Sequence, residues 1–391
     1  MIPRPGSTAS LRQTNLEAVL RQVRSAGGLV QAEIARRTGL SAATVTNLVR
    51  LLAERGQVAV APTLINGRRS QLVTPLPGDG YILGVDIGRS HIRAQLVDLG
   101  HTVAGADHVR LEPGSSSQRG LELTAGLYAR LLSDVGIDRS AVRHAGVGLP
   151  GPLDRANRQI GAATVLPEWM GQDLEERFAA ALSLPVMIDN DANLGALGEY
   201  AWPPGREVSS LLYIRLATGV GGGLILNGQL YHGADGTAGE IGHLSLDEVG
   251  PLCRCGNRGC LEAIASVPAF LGVLSSALQR PVDVDAWVGL ARDGHVTAVR
   301  LIEDLARHLG ATVANVVNLI NPGLVLVGGP IAAVGETLLA PLRAEVRQRA
   351  MPAATSRLVI ERSRWGDDAE VYGASRLALM AVWDETSTSE R

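Results

Sequence analysis

A chain of 391 residues is too long for one ordinary hydrophobic core and implies two or three domains of roughly 100 to 150 residues each. Its 46% hydrophobic and 19% charged content, with 46 glycines, is the profile of a soluble α/β protein and excludes a disordered chain. The net charge of −3 divides unevenly: residues 1–75 hold ten Arg against three Glu (+7) and the rest carries −10, as a basic nucleic-acid module joined to an acidic body would.

The first ten residues, MIPRPGSTAS, lack the apolar run of a secretory signal. Leu16, Val19, Leu20 and Val23 recur at i, i+3, i+4 and i+7 and predict a helix with one buried stripe that ends near Gly27-Gly28. Residues 31–38 suit a short second helix, and Gly39 supplies a tight turn. Ser41 then caps a third helix with Val45, Leu48, Val49 and Leu52 as its buried stripe and Gly56 as its stop. This is the pattern of a helix-turn-helix. Residues 58–60 and 71–73 read as strands flanking the turn Asn66-Gly67-Arg68-Arg69, a wing tipped with two arginines.

Off its buried stripe the third helix presents Ala42, Ala43, Thr44, Thr46, Asn47 and Arg50, small or hydrogen-bonding side chains suited to a major groove, with Ser41 at the same end. Arg68 and Arg69 on the wing, and Arg12 near the start of helix one, suit phosphates or the minor groove. The chain contains no lysine, so every fixed positive side chain is a guanidinium, which grips phosphate and guanine edges bidentately. The expected partner of residues 1–75 is double-stranded DNA.

Residues 76–80 close the segment PLPGDG and read as a linker, after which strands alternate with helices. A strand over 81–87 runs into the glycine turn Asp86-Ile87-Gly88-Arg89-Ser90, and a second strand over 92–99 follows at hairpin distance. Later, a strand over 211–217 meets the glycine cluster Gly219 to Gly223 and is followed by a strand over 224–226. One strand, glycine turn, strand unit per lobe suggests two related lobes enclosing a cleft. Either turn can present backbone N–H groups to phosphate, although tight turning alone explains such glycines as well. Asp189-Asn190-Asp191-Ala192-Asn193 follows the apolar run 184–188, so its polar groups emerge at a strand end, where α/β sites usually lie. The stretch 211–226, which reads as the most apolar, contains Arg215 and four glycines and is shorter than the roughly 20 residues needed to cross a bilayer. A cytoplasmic location without a membrane partner is expected.

All three cysteines fall between Cys253 and Cys260, an odd number for a disulfide framework. With His243, Cys253, Cys255 and Cys260 supply one imidazole and three thiolates for a closed tetrahedral zinc site, which is structural because no position is left for water. The glycines of CGNRGC permit the tight turns such a site needs. The alternative is buried free thiols beside a core histidine. Glu240 lies three residues before His243 and Glu262 two after Cys260, and carboxylates and amides are what a polyhydroxylated sugar requires.

Gly219 to Gly223, Gly228, Gly233, Gly236 to Gly239 and Glu240-Ile241-Gly242-His243, completed by CRCGNRGCLE, resemble the signature of the ROK family of repressors, open reading frames and sugar kinases, and the likeness spans nearly the whole chain. The resemblance implies a winged helix-turn-helix on a two-lobed α/β, actin-like and sugar-kinase-like (ribonuclease H-like) ATPase fold with a structural zinc segment. The first lobe would span 81–190, completed by a C-terminal helix over 369–385. The second would span 191–368 and carry the zinc and a dimerisation surface. It implies a sugar pocket of Asn190, Asp191, Glu240, His243 and Glu262, lined by Gly151 in the turn Leu149-Pro150-Gly151-Pro152. One ring nitrogen of His243 would bind zinc and the other a sugar hydroxyl.

In the family's kinases the residue matching Asp191 is the general base and the first glycine turn holds ATP phosphates. Here Asp-x-Gly-Gly-Thr is replaced by Asp86-Ile87-Gly88-Arg89-Ser90, which puts a long side chain where bare backbone should approach phosphate, although Val327-Gly328-Gly329-Pro330 remains kinase-like. Val165 stands where a family asparagine often contacts the sugar, and with Glu168 and Trp169 close by it leaves an amino sugar or a phosphosugar open. The expected function is a non-enzymatic, sugar-responsive transcriptional repressor. It would bind an inverted-repeat operator as a homodimer or tetramer and be released by a sugar or sugar phosphate. The alternative is an ATP-dependent sugar kinase with Asp191 as base.

Overall fold

A computed structural model describes residues 8–26, 28–65, 68–76, 80–154, 159–161, 166–202, 205–206 and 208–389. At the N-terminal end, α1 (Thr8–Ala26), α2 (Gln31–Thr38) and α3 (Ala42–Glu54) pack around Leu16, Val19, Val23, Ile34, Val45 and Leu48. Gly39 ends α2 at φ 69°, a left-handed conformation that costs glycine little, and the Ser41 hydroxyl accepts the Thr44 N–H to cap α3. A three-stranded sheet backs the helices in the order β1 (Leu29–Val30), β3 (Arg68–Pro75), β2 (Val58–Ile65). The wing strands are therefore longer than expected. Ile65 pairs with Arg68, so Arg68 and Arg69 belong to β3 and not to the turn, while Asn66 and Gly67 fall outside the described residues. Gly27 and the linker residues 77–79 also fall outside them. The two-residue β1, anchored by buried Leu29, is too short to show a period in the sequence.

The remainder holds two five-stranded sheets of the same topology. In the first, β4 (Tyr81–Ile87), β5 (His91–Asp98) and β6 (Val103–Arg110) form an antiparallel meander. After α4 (Ser117–Val135), β7 (Val142–Leu149) pairs parallel with β4. The short hairpin β8 (Leu153–Asp154) and β9 (Gln159–Ile160) and helix α5 (Leu174–Leu182) lead to β10 (Val186–Asn190), parallel to β7. Helix α6 (Asp191–Ala201) crosses to the second sheet. There β11 (Ser210–Leu216), β12 (Val220–Leu226) and β13 (Gln229–Leu230) form the meander, and β14 (Leu324–Gly328) and β15 (Val359–Arg362) are added in parallel beside β11. The repeat anticipated from two hairpins thus extends to all five strands of each sheet.

Between the second meander and its parallel strands lie α7 (Leu261–Ala265), α8 (Val267–Leu278), α9 (Val284–Arg292) and α10 (Val296–Ile320). Helices α11 (Glu336–Arg349) and α12 (Pro352–Thr355) follow β14. These helices cover the outer face of the second sheet around Trp287, Ile302, Leu305 and Leu338. The window Leu261–Leu278 has a mean hydropathy of 1.7 and is long and apolar enough to cross a membrane by length and composition. It is two helices jointed at Ser266, with Leu261, Ala265, Val267, Phe270 and Leu274 in the protein core and 33% of the window buried.

The last helix, α13 (Ala369–Ser389), lies between the sheets with α6, touching β4 and β7 on one side and α6 on the other. Glycines make that approach possible: a Cβ at Gly146 would sit 2.0 Å from the Ala374 carbonyl oxygen, and one at Gly198 2.4 Å from that of Ala369. The molecule is therefore layered as outer helices, sheet, α13 and α6, sheet, outer helices.

Candidate functional site

The ends of both sheets open into one cleft of about 390 Å³. Register builds its floor. Asn190 ends β10 opposite Leu149 of β7, so the Pro150-Gly151-Pro152 turn passes beside it, and the Asn190 side-chain amide donates to the Gly151 carbonyl at 2.9 Å. The same side chain accepts the Asn193 N–H, which caps α6 and points the positive end of that helix into the cleft. Asp191 opens α6 and is buried. From the second lobe come Arg215, Val220, Glu240, His243 and Glu262, and from the first hairpin Arg89, His91 and Arg93. All six residues expected in the sugar pocket (Gly151, Asn190, Asp191, Glu240, His243 and Glu262) line this one cavity.

The floor is held by a charge network that periodicity did not reveal. Arg215, on β11, donates to Asp191 Oδ2 at 2.7 Å and forms a 2.9 Å ion pair through Nε with Glu370 Oε1, an approach whose geometry is not that of a hydrogen bond. Glu370 opens α13, is fully buried and accepts the Tyr213 hydroxyl at 2.8 Å. Burial pushes the Asp191 carboxyl up, with Asp86 adding to the rise and Arg215 opposing it. Burial also drives Glu370 to about 8 despite Arg215. For Asp86 burial acts in the same direction, but the His91 hydrogen bond at 2.9 Å and the charges of His91, Arg215 and Arg93 outweigh it and hold that carboxyl at about 2. Glu240 is raised to about 7 by burial and by the nearby charges of Asp191 and Glu262. The one available signal for Arg215 was a lone charge in the apolar strand SLLYIRL. Glu370 had none.

The second glycine cluster lies partly in a strand. Only Ala217, Thr218 and Gly219 form the turn, while Gly221, Gly222 and Gly223 lie inside β12. A Cβ at Gly223 would meet the Ala192 carbonyl oxygen at 2.3 Å and one at Gly221 the Ala192 Cβ at 2.9 Å, so these two let α6 lie against the strand, while Gly222 makes room for Gly239 and Ile241. The Val220 N–H is taken by Glu262 Oε2 at 3.1 Å, and Glu262 Oε1 pairs with Arg254 at 2.9 Å. In the first turn, Gly88 closes the hairpin by donating to the His91 carbonyl, and Arg89 is exposed at the cleft. Trp169 does not approach the sugar site. It is fully buried, donates to the Ser115 carbonyl and packs on Phe178, and neither it nor Glu168 lines the cleft. Val165 falls outside the described residues.

Beside the cleft, His243, Cys253, Cys255 and Cys260 form a cluster that could hold a metal ion, with their ligand atoms all within 4.8 Å of one another. Nδ1 of His243 lies 3.5 Å from the Cys253 sulfur, and the sulfurs of Cys255 and Cys260 are 3.6 Å apart. Thiolates bound tetrahedrally at about 2.3 Å stand about 3.8 Å apart, so the donor set fits such an ion. The other ring nitrogen, Nε2, faces Glu240 at 3.8 Å on the cleft side. Gly256 and Gly259 have φ of 93° and 62°, and a Cβ at Gly259 would sit 1.7 Å from the Asp247 carbonyl oxygen.

On the N-terminal unit, Thr46, Asn47 and Arg50 project from the exposed face of α3, and Arg12 and Arg69 are also exposed. Arg50 stands 4.0 Å from Glu54. Ser41 and Thr44 are largely committed to the cap, their hydroxyls 2.8 Å apart. The Arg68 side chain falls outside the described residues. Gln31, unremarked in the sequence, accepts the Thr46 hydroxyl at 2.9 Å and donates to Gln71 at 3.0 Å, tying α3 to the wing.

Comparison with known proteins follows this division. The MarR family pattern matches residues 18–69 and the ROK family pattern residues 82–381. A xylose repressor of Caldicellulosiruptor bescii is 30% identical over 96% of this chain and 97% of its own length. A glucokinase of Thermotoga maritima is also 30% identical, over 76% of this chain and 96% of its own. A solved ROK family transcriptional regulator, described as a homologue of the Escherichia coli MLC protein, superposes with a TM-score of 0.75 at 24% identity, covering 97% of this chain and 98% of the other. With its twin sheets, shared cleft and Cys/His cluster matched from Ile82 onward and a MarR-type winged helix ahead of them, the chain belongs to the ROK family.

Proposed function

We propose that the protein is a sugar-responsive transcriptional repressor of carbohydrate genes in the cytoplasm, with residues 1–75 as its DNA-reading head and residues 81–389 as its sensor. Thr46, Asn47 and Arg50 read bases, while Arg12, Arg68 and Arg69 hold phosphates. Asn190, Asp191, Glu240, His243 and Glu262 hold the sugar, or the sugar part of a sugar phosphate. His243, Cys253, Cys255 and Cys260 hold a structural zinc, which fixes the segment bearing Glu240 and Glu262 beside the pocket. The chain acts as a homodimer on an inverted repeat, and sugar favours a lobe arrangement that misplaces the two recognition helices. Linkage then requires operator DNA to weaken sugar binding by the same factor.

The observation that carries this reading over phosphoryl transfer is the extent of the likeness: a xylose repressor matches 96% of this chain and a glucokinase 76%. Asp191 Oδ1 accepts the Ala192 N–H and Oδ2 accepts Arg215, so both oxygens are already engaged. A carboxylate held this way can still accept a sugar hydroxyl through a remaining lone pair, and because burial raises it despite Arg215 it keeps the ability to take a proton, so the choice between the readings rests on the head and not on this contact. The first glycine turn supports the same reading, since Arg89 stands exposed at the cleft where the kinases that the chain resembles have glycine.

The test pairs two assays on the full chain over a sugar and sugar-phosphate panel: coupled ATP turnover, and binding to DNA from its own promoter region. Absent turnover with sugar-sensitive DNA binding is expected. Turnover that vanishes in Asp191→Asn would establish a kinase instead.

A further inference from the structure

Two buried arginine contacts lie on one helix, one facing the cleft and the other facing the head. At its first turn α13 carries Glu370, joined through Arg215 to Asp191 on the cleft floor. Six residues on, or about 9 Å along the axis, Arg376 is 1% exposed, and among the described residues it has no carboxylate within ion-pair distance. Its guanidinium instead donates to the Arg24 carbonyl at 2.8 Å, lies 3.2 Å from His101 Nε2 and sits 4.5 Å from the centre of the Trp383 ring. Arg24 lies in the last turn of α1 and in turn donates to the Trp383 carbonyl at 3.4 Å.

We infer that α13 is the rod by which the cleft acts on the DNA-binding head, with Glu370 the positioning residue at its input end and Arg376 the one at its output end. This rests on the sensor reading above. Three physical features support it. The helix is wedged too tightly to flex locally: a Cβ at Gly84 would sit 2.1 Å from the Ser375 hydroxyl, and one at Gly373 1.8 Å from the Leu194 carbonyl oxygen. A shift at Glu370 therefore moves Arg376 with it. The joint at Arg376 is also cheap to open. A buried guanidinium without a counter-ion is costly, burial pulls its pKa down to about 9, and the negative end of the α1 dipole, the His101 ring nitrogen and an aromatic face offset the loss of water in part. Finally, α1 packs on α3, so its hold on α13 orients the recognition helix.

Hydrogen–deuterium exchange on the full chain reads the joint through α1, with α4 on the far face of the first sheet as control. Glu370→Ala, which removes the partner of Arg215, should speed exchange in α1 by about threefold or more while α4 stays unchanged. Glu370→Gln, which keeps the length of the side chain and an oxygen that accepts the Tyr213 hydroxyl beside Arg215, should restore wild-type exchange. Arg376→Gln should speed α1 exchange by a similar factor, and adding Glu370→Ala should add nothing, because the first break already disconnects the rod. D-xylose, D-glucose and N-acetylglucosamine serve as probes. Any that binds should change α1 exchange in the wild type but not in Arg376→Gln.

Unchanged α1 exchange in Glu370→Ala, an equal rise in α4, or factors that multiply in the double variant would each overturn the inference. If no sugar binds, the sensor reading fails while the mutational arm still decides whether α13 is the rod. If sugar releases DNA equally well from Arg376→Gln, the rod fails and the sensor stands.

Discussion

Gly373→Ala is the sharpest test of how the two lobes are held together. Glycine inside a helix ordinarily costs about 1 kcal/mol relative to alanine, so at a free position this change would stabilise α13 by that amount. Here the new Cβ would lie 1.8 Å from the Leu194 carbonyl oxygen, 2.4 Å from its carbon and 2.8 Å from its Cα, all of them backbone atoms of α6. No rotamer change can relieve that contact. Restoring ordinary contact at 3.4 Å requires the helices to part by about 1.6 Å, and a gap of even 0.5–1 Å forfeits roughly a quarter to a half of each dispersion attraction between them. Overpacking of this kind costs about 3 kcal/mol, so the net effect is a loss of about 2 kcal/mol. Urea unfolding followed by tryptophan fluorescence measures it, because all five tryptophans lie at or beyond residue 169, in the sensor, with Trp383 alone of them touching Arg24 of the head among the described residues. A variant as stable as the parent, or more so, would mean that α6 and α13 do not meet in this way.

Other consequences concern charge, metal and DNA. Glu370 titrates near 8 in the folded chain against 4.5 when unfolded, so between those values the native state holds a proton that the unfolded state lacks. Stability should then fall as pH rises from about 4.5 to 8, by a few kcal/mol at most, and Glu370→Gln should flatten the profile in pH-dependent denaturant titrations. Cys255→Ser should release zinc, measured as metal content, and abolish the sugar response with it, since the metal segment bears Glu240 and Glu262. Metal loss with the response intact would sink the pocket assignment. Replacing Arg68 and Arg69 together by Ala should weaken DNA binding across sequences and lower the salt slope by about one for each phosphate no longer neutralised. An unchanged slope would remove the wing from the interface.

The head was readable almost residue by residue because its signals are local: a 3.6-residue stripe, a glycine at positive φ, and a serine whose hydroxyl caps the next turn. The cleft residues around Asn190 and Glu240 were readable from a different source, since their resemblance to a family signature, and not their periodicity, brought them together. What stayed hidden depends on distant partners. Arg215 meets Glu370 across 155 positions of chain, and Arg376 meets Arg24 across 352. Glycines misled for the same reason. Gly221 to Gly223 look like a loop in isolation but lie in a strand, where Gly221 and Gly223 make room for α6 and Gly222 for Gly239. Trp169, placed near the sugar by its neighbours in sequence, is drawn instead into the core beneath α4 by Gly120, whose missing side chain leaves room for the indole.

The position of α13 in chain order has a bearing on biosynthesis. Ala369 follows Pro75 by 294 residues, so at about 5 to 20 residues per second a ribosome exposes the head some 15 to 60 seconds before the helix that finishes the sensor. The head has a hydrophobic core of its own and can fold during that interval. Every newly made molecule thus passes through a period in which its head is folded while the helix that lies between the two sheets is still missing, and a message cut short before α13 would yield a head with no finished sensor behind it.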